Sequence, residues 1–294
     1  SEAELLKKHF LSIVHEEPHA FAYLQMLSAL MPSSWYKAVL SSVKFQREQS
    51  EERYEAFTLF TATKSKQSSD HAAFMNGLAQ EGQKNPLGIL GELNGSARSV
   101  SIDKRFLTKL GIKVVLLNDK VGQIVHAIVP EGPSLNLCQQ SLERLYEKDP
   151  SFRIGYVPDN DGDRGNLVYI DAPSGKAKIL DAQSVFALVV LAELSHTRLA
   201  HPSALLATVV NGPTSLRIDK IAQTFDAEVF RCEVGEANVV ELAEKKRDEG
   251  YLVPILGEGS NGGNITHPAK ERDPLNTLLS LIKLLRNRDI AKLW

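Results

Sequence analysis

From Gly82 onward, short β-like runs alternate with helical ones, and this alternation narrows the available folds more than any other feature of the chain. Leu87–Leu90, Ile112–Leu117 and Phe152–Val157 read as strands, with helical periodicity between them at Ile102–Leu110 and Leu135–Glu147. Leu167–Ile170 follows as a further strand, and Ala172–Lys176 (APSGK) as a turn. A β-α-β-α-β-β order of this kind predicts a layered α/β domain. A second unit repeats the logic. Helices are predicted at Asp181–Thr197, Ser215–Phe225, Asn238–Arg247 and Asp273–Leu285, and strands at Leu205–Val210, Glu228–Arg231 and Tyr251–Leu256. No repeat with a period of 20–50 residues is evident.

The first 81 residues read differently. Apolar residues fall at helical spacing from Leu5 to Val14 and from Phe21 to Met31, with Pro18 and Pro32 as breakers. A third helix is predicted after Ser33-Ser34, which are good N-cap residues, and Lys64–Asp70 reads as an exposed loop. His9, His15 and His19 are scattered and suggest no metal site. The predicted architecture is two consecutive three-layer α/β domains, with mixed sheets flanked by helices, preceded by a mainly helical segment. The divisions fall at residues 1–81, 82–178 and 179–294.

Charge excludes some functions. With 34 Lys+Arg against 36 Asp+Glu in 294 residues the net charge is −2. Such a chain is no candidate for bulk electrostatic binding to nucleic acid or to an anionic membrane. The longest apolar run, Val185–Leu194, is far short of the roughly 18 residues needed to span a bilayer and is expected to be a buried helix. Two cysteines, Cys138 and Cys232, are too few for a disulfide scaffold. They suggest cytosolic thiols and a cytoplasmic location. The N-terminus lacks both a signal-peptide core and an initiator Met, which leads us to expect a piece of something longer.

Two loops carry the chemistry. Asp159, Asp161 and Asp163 stand at alternate positions directly after a strand, with Gly162 among them. Clustered carboxylates repel one another, and a hard divalent cation resolves the repulsion through oxygen ligands. Mg2+ suits the loop better than Ca2+, because it needs few protein ligands and keeps places for water or phosphate. An EF-hand is excluded: counting from Asp159, its sixth and twelfth positions are Arg164 and Ile170, where Gly and Glu are required. A phosphatase with an aspartyl nucleophile and a simple solvated acidic turn are the alternatives.

The second loop, Gly257–Gly263 (GEGSNGG), contains a literal G-x-G-x-x-G. A dinucleotide site needs a helix to open at once after that motif. Here the chain runs on through Asn264–Pro268, which reads as extended or loop. Glu258, Ser260 and Asn261 instead offer a carboxylate, a hydroxyl and an amide, a set suited to vicinal sugar hydroxyls. A plain glycine hinge is the alternative.

Taken together, Pro158–Arg164 (PDNDGDR) resembles the metal loop (PDGDGDR) of the α-D-phosphohexomutases, the family of phosphoglucomutase, phosphomannomutase and phosphoglucosamine mutase. GEGSNGGNI resembles that family's sugar-binding loop, in its archaeal-type version. Arg231–Val239 resembles the R-T-x-V-G-D-x-x-V segment that precedes it, and Arg272-Asp273-Pro274 stands where the family shows a G-R-D-G helix start. Asn94-Gly95-Ser96 resembles the turn after the first strand of the second domain. The resemblance covers about Gly82 to Trp294.

It implies interconversion of hexose 1-phosphate and hexose 6-phosphate through a phosphoserine and a bisphosphorylated sugar. Asp159, Asp161 and Asp163 would hold Mg2+, Arg164 would stabilise the phosphoryl group, and Glu258, Ser260 and Asn261 would bind the hexose phosphate. Glu236 is a weaker candidate for sugar contact. Two family parts are missing from these residues. T-A-S-H-N-P does not occur; the nearest text, Thr61–Lys66 (TATKSK), lacks the His-Asn pair, so no nucleophile is assigned. R-x-S-G-T-E-P is absent too. We therefore expect a fragment of a phosphohexomutase-like enzyme that is inactive alone. A non-catalytic sugar-phosphate and metal-binding module is the alternative, with a Mg-dependent phosphatase behind it.

Overall fold

A computed structural model describes residue 29 and residues 33–127, 132–259 and 263–286. The predicted helices at Leu5–Val14 and Phe21–Met31, the three early histidines, and both Ser260 and Asn261 lie outside the described residues. The chain divides into two compact units, Ser1–Tyr54 and Glu55–Trp294. In the first, the described residues are almost all the opening of helix α1 (Ser34–Thr63), whose side chains there are mostly exposed. The stretch Gln46–Arg53, polar by composition, is part of this helix.

The second unit holds both sheets. Helix α2 (Ser68–Lys84) leads into strand β1 (Gly88–Glu92), helix α3 (Asp103–Lys109) and strand β2 (Lys113–Leu117). Helix α4 (Asn136–Lys148) and strands β3 (Phe152–Pro158), β4 (Gly165–Asp171) and β5 (Lys176–Ile179) complete a five-stranded sheet of order β2-β1-β3-β4-β5. Strands β1, β2 and β3 run parallel; β4 and β5 are antiparallel additions. All five residues of β1 are buried, as befits a strand covered on both faces. Helix α4 packs its apolar stripe, Cys138 and Leu142, against Leu90, Val157, Val168 and Ile170 of the sheet.

Helix α5 (Ala182–Ala200) follows, capped by the Asp181 side chain, which accepts from the Ser184 backbone N–H at 2.9 Å. Its apolar run is buried on nearly all sides, as predicted for Val185–Leu194. Strand β6 (Leu206–Asn211), helix α6 (Arg217–Thr224), strand β7 (Ala227–Cys232), helix α7 (Glu236–Asp248), strands β8 (Ile255–Glu258) and β9 (Gly263–Thr266), and helix α8 (Pro274–Arg286) complete the unit. The second sheet has the order β7-β6-β8-β9, parallel but for β9. Val239 and Ala243 of α7 pack on Val209, Leu256 and Ile265 of this sheet.

The fold class read from the sequence is therefore present: mixed sheets flanked by helices, after a helical segment. Three local expectations change. The strand expected at Tyr251–Leu256 begins only after Pro254, which has no N–H to give to a ladder, and extends through Glu258. Strand β5 is an addition to the expected elements, and β9 falls on a stretch that reads as extended or loop. The loop expected at Lys64–Asp70 is shorter, because α2 already begins at Ser68.

Candidate metal centre and the glycine-rich edge

The topology gives both chemical loops the same place. In each sheet the third strand in chain order lies beside the first and turns back through an antiparallel hairpin. The acidic loop joins β3 to β4, and the glycine-rich loop joins β8 to β9. Both stand beyond the carboxyl ends of parallel strands, where α/β folds hold ligands.

At the first loop the structure brings the three aspartates together, with one ligand oxygen from each within 4.8 Å of the others. Asp159 is buried, Asp163 half-buried and Asp161 exposed. Gly162 makes the curl possible: its φ is +80°, and an added Cβ would sit 2.8 Å from Arg98 Cδ. The loop is tied down from behind, where the Ala97 N–H donates to the Asn160 carbonyl at 3.0 Å. Arg98, itself buried, holds Asp103 through two nitrogens at 3.1 and 2.5 Å, and Tyr156 Oη donates to the same carboxylate at 2.9 Å.

Arg164 grips Asp159 twice. Its backbone N–H reaches Oδ1 at 3.1 Å and its Nε reaches Oδ2 at 2.6 Å. Burial works against the charge on Asp159, but these two bonds hold its carboxyl below the usual range. Asp163 behaves oppositely. Burial, with Asp159 and Asp161 alongside, pushes its carboxyl up to about 6 although Arg272 pulls the other way. Arg272 lies 2.5 Å from Asp163 Oδ2, yet Oδ1 is buried without a hydrogen-bond partner. A buried carboxylate oxygen that has no hydrogen bond, only an ionic contact with Arg164 Nε at 3.7 Å, among three converging aspartates is what a hard divalent cation would satisfy, so the residues fit the group.

Sequence reasoning assigned no role to Arg272 and did not single out Arg98. Arg272 lies between Asp163 and Glu236, the first residue of α7, whose Oε2 is 3.1 Å from Nε. That Nε is not aligned for a hydrogen bond, so this contact between the two side chains is ionic. Asp273 next door lies 3.6 Å from Arg98. The Arg272-Asp273 pair thus links the acidic loop to the first turn of α7. The only sequence signal was the G-R-D-G-like text itself.

At the second loop, Glu258 ends β8 and is buried. Its Oε1 accepts from Asn211 Nδ2 and from the Gly235 N–H, both at 2.8 Å. The carboxylate is therefore anchored at the carboxyl ends of β6 and β8 rather than carried on a flexible loop. Thr214 completes the edge, donating to Asn211 Oδ1 at 2.6 Å and accepting from the Gly259 N–H at 3.0 Å. Arg231, half-buried, holds the preceding turn through the carbonyls of Asn211, Gly212 and Thr214. The chain extends along β9 after the loop and opens no helix there, which leaves the dinucleotide reading without support.

Residues 181–293 match the family model for phosphoglucomutase/phosphomannomutase, alpha/beta/alpha domain III. Among solved structures the chain is similar to a protein assigned as a phosphomannomutase from Thermus thermophilus, with 21% identity over 75% of this chain and 48% of that one, at a TM-score of 0.54. It is also similar to a phosphoglucomutase/phosphomannomutase family protein from Burkholderia thailandensis (16% identity, 76% of this chain and 46% of that one, TM-score 0.56). A third is the open form of pp63/parafusin, a phosphoglucomutase from Paramecium (18% identity, 75% and 39%, TM-score 0.56). At these identities the likeness shows the fold, and the chain spans about half or less of the length of these structures. No curated protein matches the chain. Residues 181–293 thus match a phosphoglucomutase/phosphomannomutase domain III, and the likeness across three-quarters of the chain shows a shared fold.

Proposed function

We infer that these residues form the metal-binding and sugar-binding middle of a phosphohexomutase-like enzyme, one that interconverts hexose 1-phosphate and hexose 6-phosphate through a phosphoserine and a bisphosphorylated sugar. The observation that carries the reading is the convergence of Asp159, Asp161 and Asp163, with Asp163 Oδ1 buried and without a hydrogen bond, in a chain that matches the family's domain III. We carry the division at residues 82–178 and 179–294, and a cytoplasmic location, as parts of the same proposal.

The three aspartates would hold Mg2+, which when bound supplies Lewis acidity to a phosphoryl oxygen. Arg164 already spends its Nε and backbone N–H on Asp159. Its terminal Nη groups are not used in those bonds and would meet phosphoryl oxygens. Glu258, held still by Asn211 and Gly235, would accept from sugar hydroxyls at a position set by strands rather than by a mobile loop. Ser260 and Asn261 remain candidates for the same contact. A nucleophilic role for Asp159 is disfavoured, since Arg164 engages both of its oxygens.

The second reading is a module that binds metal and sugar phosphate without turning it over. Both readings stand on the metal loop. Calorimetric titration with Mg2+ should show saturable binding to the wild-type chain and clear weakening in Asp161→Asn. Equal affinity in the two proteins, or no binding by either, removes the assignment. Hexose phosphate added to the Mg2+-loaded chain, with loss of phosphate from serine elsewhere excluded by mass spectrometry, then separates binding from turnover.

A further inference from the structure

At the opposite end of the second sheet lies a cavity of about 480 Å3 that the phosphohexomutase reading does not use. Topology fixes its position. Leu252–Pro254 lead into β8, His201 follows α5 just before β6, and His267 follows β9, which runs antiparallel to β8. Asn211 and Glu258 close the other ends of β6 and β8. At about 3.3 Å per residue, strands of four and six residues separate the two edges by roughly 13–20 Å. The volume is that of a small-molecule site, for which about 300–1,000 Å3 is usual.

Phe60 and Leu252 contribute to a largely apolar wall, and Lys64, His196, Arg247 and His267 line the same space. Charge does not balance there. Lys64 and Lys283 share one carboxylate, Glu193, at 3.2 and 2.5 Å. Arg247 makes no ion pair among the described residues. One Nη donates to the Val253 carbonyl at 2.8 Å, and its Nε is buried without a hydrogen-bond partner. Glu244, one turn earlier on α7, is tied to Lys270 instead. Among the described residues, Glu193 is thus the one carboxylate in ion-pair contact with any of these three cations, in partly desolvated space, an arrangement that costs free energy until a counter-charge arrives. The strain shows in the titrating groups. Burial lowers Lys64 to about 8 in spite of Glu193, and burial lowers His196 and His267 to about 4. Both rings are neutral at pH 7 and can hydrogen-bond a ligand.

We propose that this cavity binds a small organic anion, a carboxylate or phosphate carried on an apolar body, with Arg247 and Lys64 meeting the charge and Phe60 and Leu252 covering the body. The site is independent of the metal loop and stands whether or not the mutase reading does.

Calorimetry on the full chain with benzoate, phenyl phosphate and neutral benzamide as probes tests it. At least one of the two anions should bind saturably, with a dissociation constant of about 1 mM or tighter, and benzamide about tenfold more weakly or worse. Arg247→Gln, shown to be folded by circular dichroism, should lose about tenfold of the anion affinity. Asp161→Asn should bind the anion like wild type, which separates this site from the metal loop. Failure of both anions to bind, equal binding of benzamide, an unchanged folded Arg247→Gln, or a loss in Asp161→Asn each overturns the proposal. Should Arg247→Gln not fold, the wild-type pH profile decides. Benzoate keeps its charge between pH 7 and 9, while Lys64, faced by Glu193 from α5, Lys283 from α8 and Arg247 from α7, loses its proton. His196 and His267 stay neutral across that window. Affinity must therefore fall as pH rises, and a flat profile refutes the site.

Discussion

Replacing Glu193 by glutamine should destabilise the protein by roughly 3 kcal/mol. Glu193 sits within α5 and is fully buried. Its Oε1 lies 2.5 Å from Lys283 Nζ and accepts from Ser280 Oγ at 2.6 Å; Oε2 lies 3.2 Å from Lys64 Nζ. Glutamine keeps the volume and the Ser280 bond, so no cavity contributes and the loss is the charge alone. Removing one partner of a buried pair costs about 3–5 kcal/mol, because the other charge stays behind unpaired. The two lysines differ in how far they can escape. The Lys64 side chain is 27% exposed and can turn to water, whereas Lys283 is only 4% exposed and cannot. One stranded cation, not two, places the cost at the lower end of that range.

Lys283→Met alone should cost less, since Glu193 keeps Lys64 and Ser280. The double variant should recover about 2 kcal/mol relative to the sum of the singles, a size typical of groups in direct contact. Urea unfolding at pH 7, with the slope checked for constancy, measures all three. If Glu193→Gln lies within about 0.5 kcal/mol of wild type, or the two changes add, then the charges are not coupled as the geometry requires.

Three further outcomes follow from the same structure. Gly257 has φ +151°, and an added Cβ would lie 2.0 Å from the Gly263 carbonyl oxygen, so Gly257→Ala should cost at least about 2 kcal/mol and loosen the β8–β9 hairpin; an unchanged melting temperature counts against the hairpin geometry. His196 and His267, lowered to about 4 by burial, bind fewer protons in the native state than when unfolded between pH 6.5 and 4. Stability should therefore be complete above pH 6.5 and decline as pH falls through that window, with a shallower decline in His196→Gln. Asp163, raised to about 6 chiefly by burial, must lose its proton to bind a cation. Apparent Mg2+ affinity should drop as pH is lowered from 7 to 5, and a level titration series would show that Asp163 is not a ligand.

Most elements were legible because their signals are local. Helical spacing in Leu135–Glu147 and the unbroken apolar run of α5 need no distant residue to be read, and both helices stand where the pattern put them, within a few residues. The acidic loop was legible for a related reason. Three aspartates in five residues demand a counter-charge wherever the chain folds. Strand β5 was not, since KAKI is short and half charged, and β9 was legible only as extended or loop, since GNIT opens on glycine. Their place depends on a neighbour's open edge, which no local pattern announces. Lys64 reads as part of an exposed loop, yet with φ +59° at the end of α1 it lies against Glu193 and the cavity.

The sequence by itself determined the α/β alternation, the two strand-delivered loops and the carboxylates that make the first of them a candidate cation site. Only the tertiary structure decided that the first four strands of the two sheets follow the same order, that Arg272 stands between Asp163 and Glu236, and that Glu258 is clamped by Asn211 and Gly235. It alone revealed the unbalanced charge around Arg247. The physical reason is common to all of these. Periodicity and short-range repulsion act between chain neighbours, whereas hydrogen bonds, ion pairs and burial act through space between residues that the chain separates.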